Sequence, residues 1–579
     1  MASLNTQSED LPPLLSDSVD RFAASWAAGG DSRRLWEGDE SLWTSSGESD
    51  WLGWLGIADE MASDTSPLRG LAEEVRGSYR HALLLGMGGS SLCPEVLRLC
   101  FGTRNGFPDL RILDSTDQGQ ISDCAAALDL QSTLVLSASK SGSTLETALL
   151  TQHFLERIGE AVGTERAASR FVAITDPGSS LESQARDLGF RHVFSGLPSI
   201  GGRYSALSNF GMVPAAVMGL DVCRLLAGAK LMRSACGPEV LPHANPGVRL
   251  GLALGAAALA GRDKLTLVTS ASVASLGAWI EQLVAESTGK SGKGIVPVEG
   301  EQLGAPASYR SDRIFVSIAL ESEIDRGASQ SLRGLAELGH PVVRIGIQHI
   351  ADIGQEFFRW ELATAVAGAV LGINPFDQPD VESAKAAARA LTSVYEADGA
   401  LPAAEPFAEQ SGIQFFAAPR HAARLLEVAG GGGLPAVLRA HLETAGDTDY
   451  VALLAHVNRN AAAQAALGRM RAAVRAACGV ATCVGFGPRF LHSTGQLHKG
   501  GPNSGVFVQI GCDARAAIDI PGRQLNFGVV AAAQALGDFG VLTRLGRRAL
   551  RIHVSDEQGS GLTRLVKLFA EAAGVEVDG

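Results

Sequence analysis

Residues 134–150 read LVLSASKSGSTLETALL. An apolar run ends in Ser139-Lys140-Ser141-Gly142-Ser143-Thr144, and Leu150, Phe154 and Ile158 then fall four apart. The run predicts a buried strand, and the spacing of four predicts a helix with one apolar stripe. The loop between them carries four hydroxyls, one ammonium and backbone N–H groups at a helix start. That combination suits a phosphate dianion. A Ser/Thr helix cap beside a solvated lysine is the plainer alternative, but a cap needs only one hydroxyl.

The same strand-loop-helix rhythm extends outward. HALLLGM (81–87), LRILDS (110–115) and RFVAITD (170–176) read as further buried strands, each followed by a longer amphipathic segment. A second set follows at KLTLVTS (264–270), RIFVSIAL (313–320) and PVVRIGI (341–347). A third comprises YVALLAHV (450–457), GVFVQIG (505–511) and LRIHVSD (550–556). Alternating strands and helices predict an α/β fold with parallel sheets covered on both faces. Ligands in such sheets bind beyond the carboxyl ends of the strands. GALPAAEPFAEQSG (399–412) and GGGG (430–433) read as loops.

The 579 residues, 46% hydrophobic and 19% charged, predict a globular chain of several domains. A net charge of -13 argues against nucleic acid as a bulk partner, yet allows a local pocket for a small anion. The eight cysteines form no C-x-x-C pair and read as reduced thiols. The N-terminus MASLNTQSEDLPP lacks a basic and an apolar leader region, so a cytoplasmic protein is expected. LGLALGAAALAG (250–261) is too short to span a bilayer.

Four further stretches carry chemistry. GMGGSS (86–91), after a strand, allows close ligand approach. Ser91 stands where a dinucleotide fingerprint has its third glycine, so that reading is weak. In AWIEQLVAESTGKSGKG (278–294), Trp279, Leu283 and Glu286 share a helix face, and Glu286 lies at the helix's C-terminal end. An apolar stripe and the dipole both disfavour the carboxylate, as suits a general base; a glutamate at the core edge is the other reading. Arg203 in GGRYSALS suits an oxyanion or a salt bridge. In NPFDQPDVESAK (374–385), Gln378 precedes a helix start, with Glu382 and Lys385 one turn apart as for an ordinary ion pair.

LHSTGQLHKGG (491–501) holds His492 and His498 six apart, with no Cys or carboxylate in the stretch, so a zinc site there would need distant ligands. TGKS (288–291) lacks the first P-loop glycine, Val284 standing in its place. The S-x-x-K at Ser137–Lys140 has no K-T-G beside it.

Together, GMGGSS, SASKSGSTLET, GGRYSALS, AESTGKSGKG, NPFDQPDVESAK and LHSTGQLHKGG resemble the glucose-6-phosphate isomerase family from about residue 60 onward. The chain is most similar to the isomerase half of transaldolase/glucose-6-phosphate isomerase fusion proteins, down to the lead-in LWTSSGESDWLGWLG (42–56). The resemblance implies two doubly wound SIS (sugar isomerase) domains, here 61–240 and 241–398. A helical lead-in over 1–60 and a C-terminal α/β block over 399–579 complete the expected layout.

It further implies phosphate and sugar binding by Gly89, Ser90, Ser139, Lys140, Ser141, Thr144 and Gln378. Glu286 would shuttle a proton between C2 and C1, and Arg203 would face the enediolate. Lys385 and a histidine would open the ring, without metal or cofactor. The implied partner is a sugar phosphate, with a homodimer and a separate transaldolase as further expectations. Dual glucose/mannose-6-phosphate isomerisation, or a non-catalytic sugar-phosphate sensor, are the alternatives.

One departure concerns the histidine. Short bacterial members carry it in D-L-H-S-L-G-Q, between the glutamate and the lysine. Residues 294–312, GIVPVEGEQLGAPASYRSD, contain none. The similar segment is LHSTGQ, after the lysine, which implies the order Glu286, Lys385, His492. The 491–505 segment is therefore expected to reach Glu286 and the 139–144 loop, because geometry and not chain order decides roles.

Overall fold

The computed structural model of the protein describes residues 3–513, 517–555 and 560–575. Strand β1 (Thr6–Asp10) comes first in the chain but belongs to the second sheet. The first sheet contains β2 (His81–Gly86), β3 (Asp109–Leu113), β4 (Thr133–Ala138), β5 (Phe171–Thr175) and β6 (His192–Ser195). All are parallel, in the order β3-β2-β4-β5-β6, with Leu83 opposite Val135. The inner strands β2, β4 and β5 read as apolar runs because helices cover both faces. The chain steps outward from β2 to β3, then crosses back to β4. The winding therefore reverses between β2 and β4, and their carboxyl ends open the crevice where ligands bind in such folds.

The second sheet contains β7 (Lys264–Thr269), β8 (Val296–Val298), β9 (Arg313–Leu320) and β10 (Val342–Ile347), in the order β8-β7-β9-β10-β1. Only β1 is antiparallel. This strand, TQSED, lies within the stretch expected to be helical. It carries no apolar period, and its pairing with β10 alone defines it.

The third sheet comprises β11 (Ala408–Gln410), β12 (Ile413–Phe416), β13 (Tyr450–His456), β14 (Ala481–Phe486), β15 (Gly505–Cys512) and β16 (Arg548–Val554). Its order is β11-β12-β16-β15-β13-β14, and β14, β13, β15 and β16 run parallel. This block repeats the winding of the other two. Strand β11 and the turn after it lie inside the expected loop 399–412 and form a hairpin with β12. Ser411 and Gly412 both have positive φ, 52° and 72°, the backbone of a two-residue type I′ turn.

Chain contacts divide the protein into two units. The first, residues 1–114, 124–307 and 311–378, holds the first two sheets. The second, 115–123, 308–310 and 379–579, holds the third. Each has its own apolar core. The apolar stretch 250–261 lies mostly in helix Pro246–Leu259, packed against helix Ile353–Leu371 in the first unit. The packing is close enough that a Cβ at Gly251 would meet the Ala363 carbonyl oxygen at 2.4 Å. Among the described residues no helix is long and apolar enough to cross a membrane.

Candidate active site

The first sheet presents its loops at the β2/β4 reversal. Met87–Ser91 follows β2, and 139–144 follows β4 before helix Leu145–Val162. Gly88 turns with φ 55°, and the loop then runs against the Gly202–Tyr204 turn. A Cβ on Gly89 would stand 1.9 Å from the Gly202 carbonyl oxygen, so only glycine permits this approach. Ser90 is buried beside it.

In the 139–144 loop, Ser139 is buried and its hydroxyl donates to Thr144 Oγ1 at 3.1 Å. Ser141 and Ser143 hydroxyls stand 2.9 Å apart on the exposed side. Gly142 has φ 69°, and a Cβ there would meet Leu181 N at 2.7 Å. Thr144 occupies the N-cap of the following helix without a side-chain cap, leaving that helix start to other acceptors. Lys140 is ion-paired with Asp176, just beyond β5, and lies 5.7 Å from the Trp51 ring centroid. The lead-in thus contributes an aromatic wall to the loop.

Arg203 and Glu286 come from distant stretches and meet in the first unit. Glu286 lies in the last turn of helix Leu276–Thr288, on the buried face with Trp279 and Leu283. Arg203 Nη1 stands 3.4 Å from Glu286 Oε1, with side-chain exposures of 1% and 10%. Gln282, one turn earlier, donates to Glu286 Oε2 at 3.1 Å. The guanidinium is held on every side. Nε donates to Ser287 Oγ at 2.7 Å and Nη1 to Gln378 Oε1 at 2.7 Å. Nη2 donates to the Pro375 and Asp377 carbonyls at 2.7 and 2.9 Å. The fork geometry of arginine allows these five directions at once.

Lys290 is a participant that sequence reading passed over. It is buried, and Nζ donates to the Asn374 and Asp377 carbonyls at 2.5 and 2.6 Å, with Asp377 Oδ1 at 2.8 Å. Burial, then the neighbouring Arg203 charge, lowers its ammonium to about 7. Arg203 and Lys290 together therefore pin residues 374–378. Its stretch, TGKS (288–291), reads in sequence only as an incomplete P-loop. Aromatic rings support this floor: Trp54 and Phe376 both pack on Tyr204, and Trp43 packs on Phe376.

Lys385 and His492 belong to the second unit; the other nine expected site residues belong to the first. Lys385 lies in helix Val381–Asp398, 41% exposed, paired with Glu382 at 2.8 Å. Arg389 also approaches Glu382, at 3.7 Å, and the two cations hold that carboxyl below its usual range. His492 ends the turn Arg489–His492 and is half-buried. That turn and the short helix Gly495–Gly500 both pack on helix Val381–Asp398, so the second unit joins the Lys385 and His492 segments. His498, by contrast, sits in an aromatic nest of Tyr450, Phe490 and Phe507. Among the described residues no group of three His, Cys, Asp or Glu gathers where it could hold a metal ion.

Residues 70–302 match the family described as phosphoglucose isomerase. Arg203 and Glu286 lie inside that stretch, and Lys385 and His492 beyond it. The glucose-6-phosphate isomerase of Rubrobacter xylanophilus is 31% identical over 370 residues, 54% of this chain and 83% of that protein. That of Parabacteroides distasonis is 28% identical over 385 residues, 58% of this chain and 86% of that protein. Two solved structures share the fold. A hypothetical protein from Thermus thermophilus has a TM-score of 0.58 at 24% identity, covering 66% of this chain and 99% of its own. A glucose-6-phosphate isomerase from Chlamydia trachomatis has a TM-score of 0.50 at 21% identity, covering 63% and 78%. With its switch-point loops and buried arginine–glutamate pair, the chain belongs to the phosphoglucose isomerase family of sugar-phosphate isomerases.

Proposed function

We propose that the protein is a glucose-6-phosphate isomerase, interconverting glucose 6-phosphate and fructose 6-phosphate. The observation that carries this reading is the buried pair of Arg203 and Glu286 at 3.4 Å, with Gln378 on the same guanidinium. A carboxylate beside a fixed cation is what proton transfer through an enediolate needs.

The phosphate docks on Ser90 and the 139–144 loop through Ser139, Lys140, Ser141 and Thr144, with Gly89 leaving room for the ligand. His492, assisted by Lys385, moves a proton between O5 and O1, which breaks the C1–O5 bond and frees the aldehyde. Glu286 takes the C2 proton, and the electron pair moves onto O1, where Arg203 stabilises the negative charge. A proton passes from O2 to O1, Glu286 returns its proton to C1, and C2 becomes the ketone. Gln378 orients Arg203 and the sugar. In this reading 61–240 and 241–398 act as two SIS domains, 399–579 supplies the late histidine, and the enzyme works in the cytoplasm as a homodimer. The likeness to the isomerase half of transaldolase fusions extends to the lead-in 42–56.

The test is fructose 6-phosphate formation from glucose 6-phosphate without added metal, with mannose 6-phosphate in parallel. Turnover of glucose 6-phosphate supports the reading. Binding without turnover would sink it.

A further inference from the structure

Helix Val381–Asp398 begins in an unusual way. Asp380 occupies its N-cap, a position where an aspartate ordinarily accepts from its own helix. Here the side chain makes no such cap. Its Oδ2 instead accepts from Gln496 Nε2 at 2.6 Å, while its backbone N–H donates to Gln496 Oε1 at 2.9 Å. Gln496 is fully buried and Asp380 half-buried, so the two-point contact stands at the edge of the interior. It joins the helix that carries Lys385 to the segment that carries His492, four residues before Gln496.

A second contact, this one buried, braces the same segment. Lys499 Nζ pairs with Asp538 at 2.6 Å, with side-chain exposures of 2% and 1%, and donates to the Gly495 carbonyl at 3.3 Å. Asp538 lies in helix Phe527–Arg544, which packs closely on helix Val381–Asp398. A Cβ at Gly537 would already meet Ala388 N at 3.0 Å. The short helix Gly495–Gly500 is thus tied to one helix through Gln496 and to its neighbour through Lys499. A buried ion pair adds little net stability against an apolar substitute, but it fixes geometry.

We propose that Asp380 and Gln496, backed by Lys499 and Asp538, are positioning residues for ring opening: they set His492 relative to Lys385. The proposal rests on the assignment of ring opening to those two residues. The clamp lies wholly in the second unit, so breaking it slows ring opening and spares proton transfer between C2 and C1.

The test is charge exchange within the clamp. In Gln496→Glu, two carboxylates face each other and the contact is lost. Exchange between the α and β anomers of glucose 6-phosphate, followed by NMR, is expected to fall about tenfold to a hundredfold. Isomerisation of a 4,5-dideoxy hexose 6-phosphate, which cannot cyclise, is expected to stay within about threefold, at most about half the barrier change of a tenfold loss. Adding Asp380→Asn restores a donor–acceptor pair of opposite sense, and the double variant is expected to recover most of the anomer exchange. An unchanged Gln496→Glu, equal losses on both substrates, or no recovery in the double variant would overturn the clamp. His492→Ala separates the two ideas. If it retains anomer exchange, the ring-opening assignment itself fails; if it loses exchange while Gln496→Glu does not, the clamp alone fails.

Discussion

Arg203 and Glu286 lie 83 positions apart in sequence (286 − 203) and face each other at 3.4 Å in the first unit. The guanidinium has four further acceptors, so it does not depend on Glu286 to stay in place. The pair can therefore be tested one member at a time.

Glu286→Gln keeps the shape and removes the proton acceptor. Isomerisation is expected to fall by about 10²–10⁴, the range for loss of a general base. Sugar-phosphate affinity, measured by calorimetry, is expected to change little. Retained turnover would remove Glu286 from the mechanism.

Lys140→Ala leaves Asp176 facing the phosphate loop without its cation. KM for glucose 6-phosphate is expected to rise about tenfold or more, as for a lost charge-assisted contact, with kcat less affected. An unchanged KM would dissociate Lys140 from phosphate binding.

His492→Ala is expected to slow cyclic glucose 6-phosphate by about 10² while a non-cyclising analogue is handled normally. Stopped-flow rates on the two substrates give the ratio directly. Equal losses would deny His492 its ring-opening role.

Lys290 ties stability to pH. Its ammonium is lowered from 10.5 to about 7, chiefly by burial. Between those values the unfolded chain holds a proton that the native chain has released. Its contribution to stability is therefore complete above 10.5, and is lost as pH falls through 7. Lys290→Met removes that slope. All seven tryptophans lie in the first unit, so fluorescence-detected urea midpoints from pH 7 to 10 report it. Wild-type midpoints are expected to rise more steeply than the variant's.

His498 predicts the opposite end of the scale. Burial first, then the Lys499 charge, lowers it from 6.5 to about 3. The unfolded chain takes up a proton below 6.5 that the native chain refuses, so stability is lost as pH falls toward 3. His498→Phe keeps an aromatic ring among Tyr450, Phe490 and Phe507 and removes the titration. Hydrogen exchange in β13 and β15 is expected to favour the variant increasingly from pH 7 to 5. No widening of that gap would mean His498 is not the acid-sensitive group.

Strands β2, β3, β4, β5, β7, β9, β10, β13, β15 and β16 were all readable as mainly apolar runs, because a parallel strand covered by helices has to be mostly apolar. The 139–144 loop was readable too, since its hydroxyls, lysine and glycine are adjacent in the chain. β1, β6, β8, β11, β12 and β14 left little trace. Most are short edge strands defined by the partner they pair with, not by their own pattern.

The sequence by itself determined the α/β class and where the residues proposed for phosphate and proton chemistry stand in it, because these depend on local composition and period. Tertiary structure alone decided which of those residues share surroundings. Arg203 is anchored by carbonyls 172 and 174 positions away, Lys290 turns inward to the same segment, and Asp380 gives up its helix cap for Gln496. Such contacts are satisfied hydrogen bonds between distant backbone and side-chain groups. No spacing along the chain encodes them, so they exist only once the sheets and helices have packed.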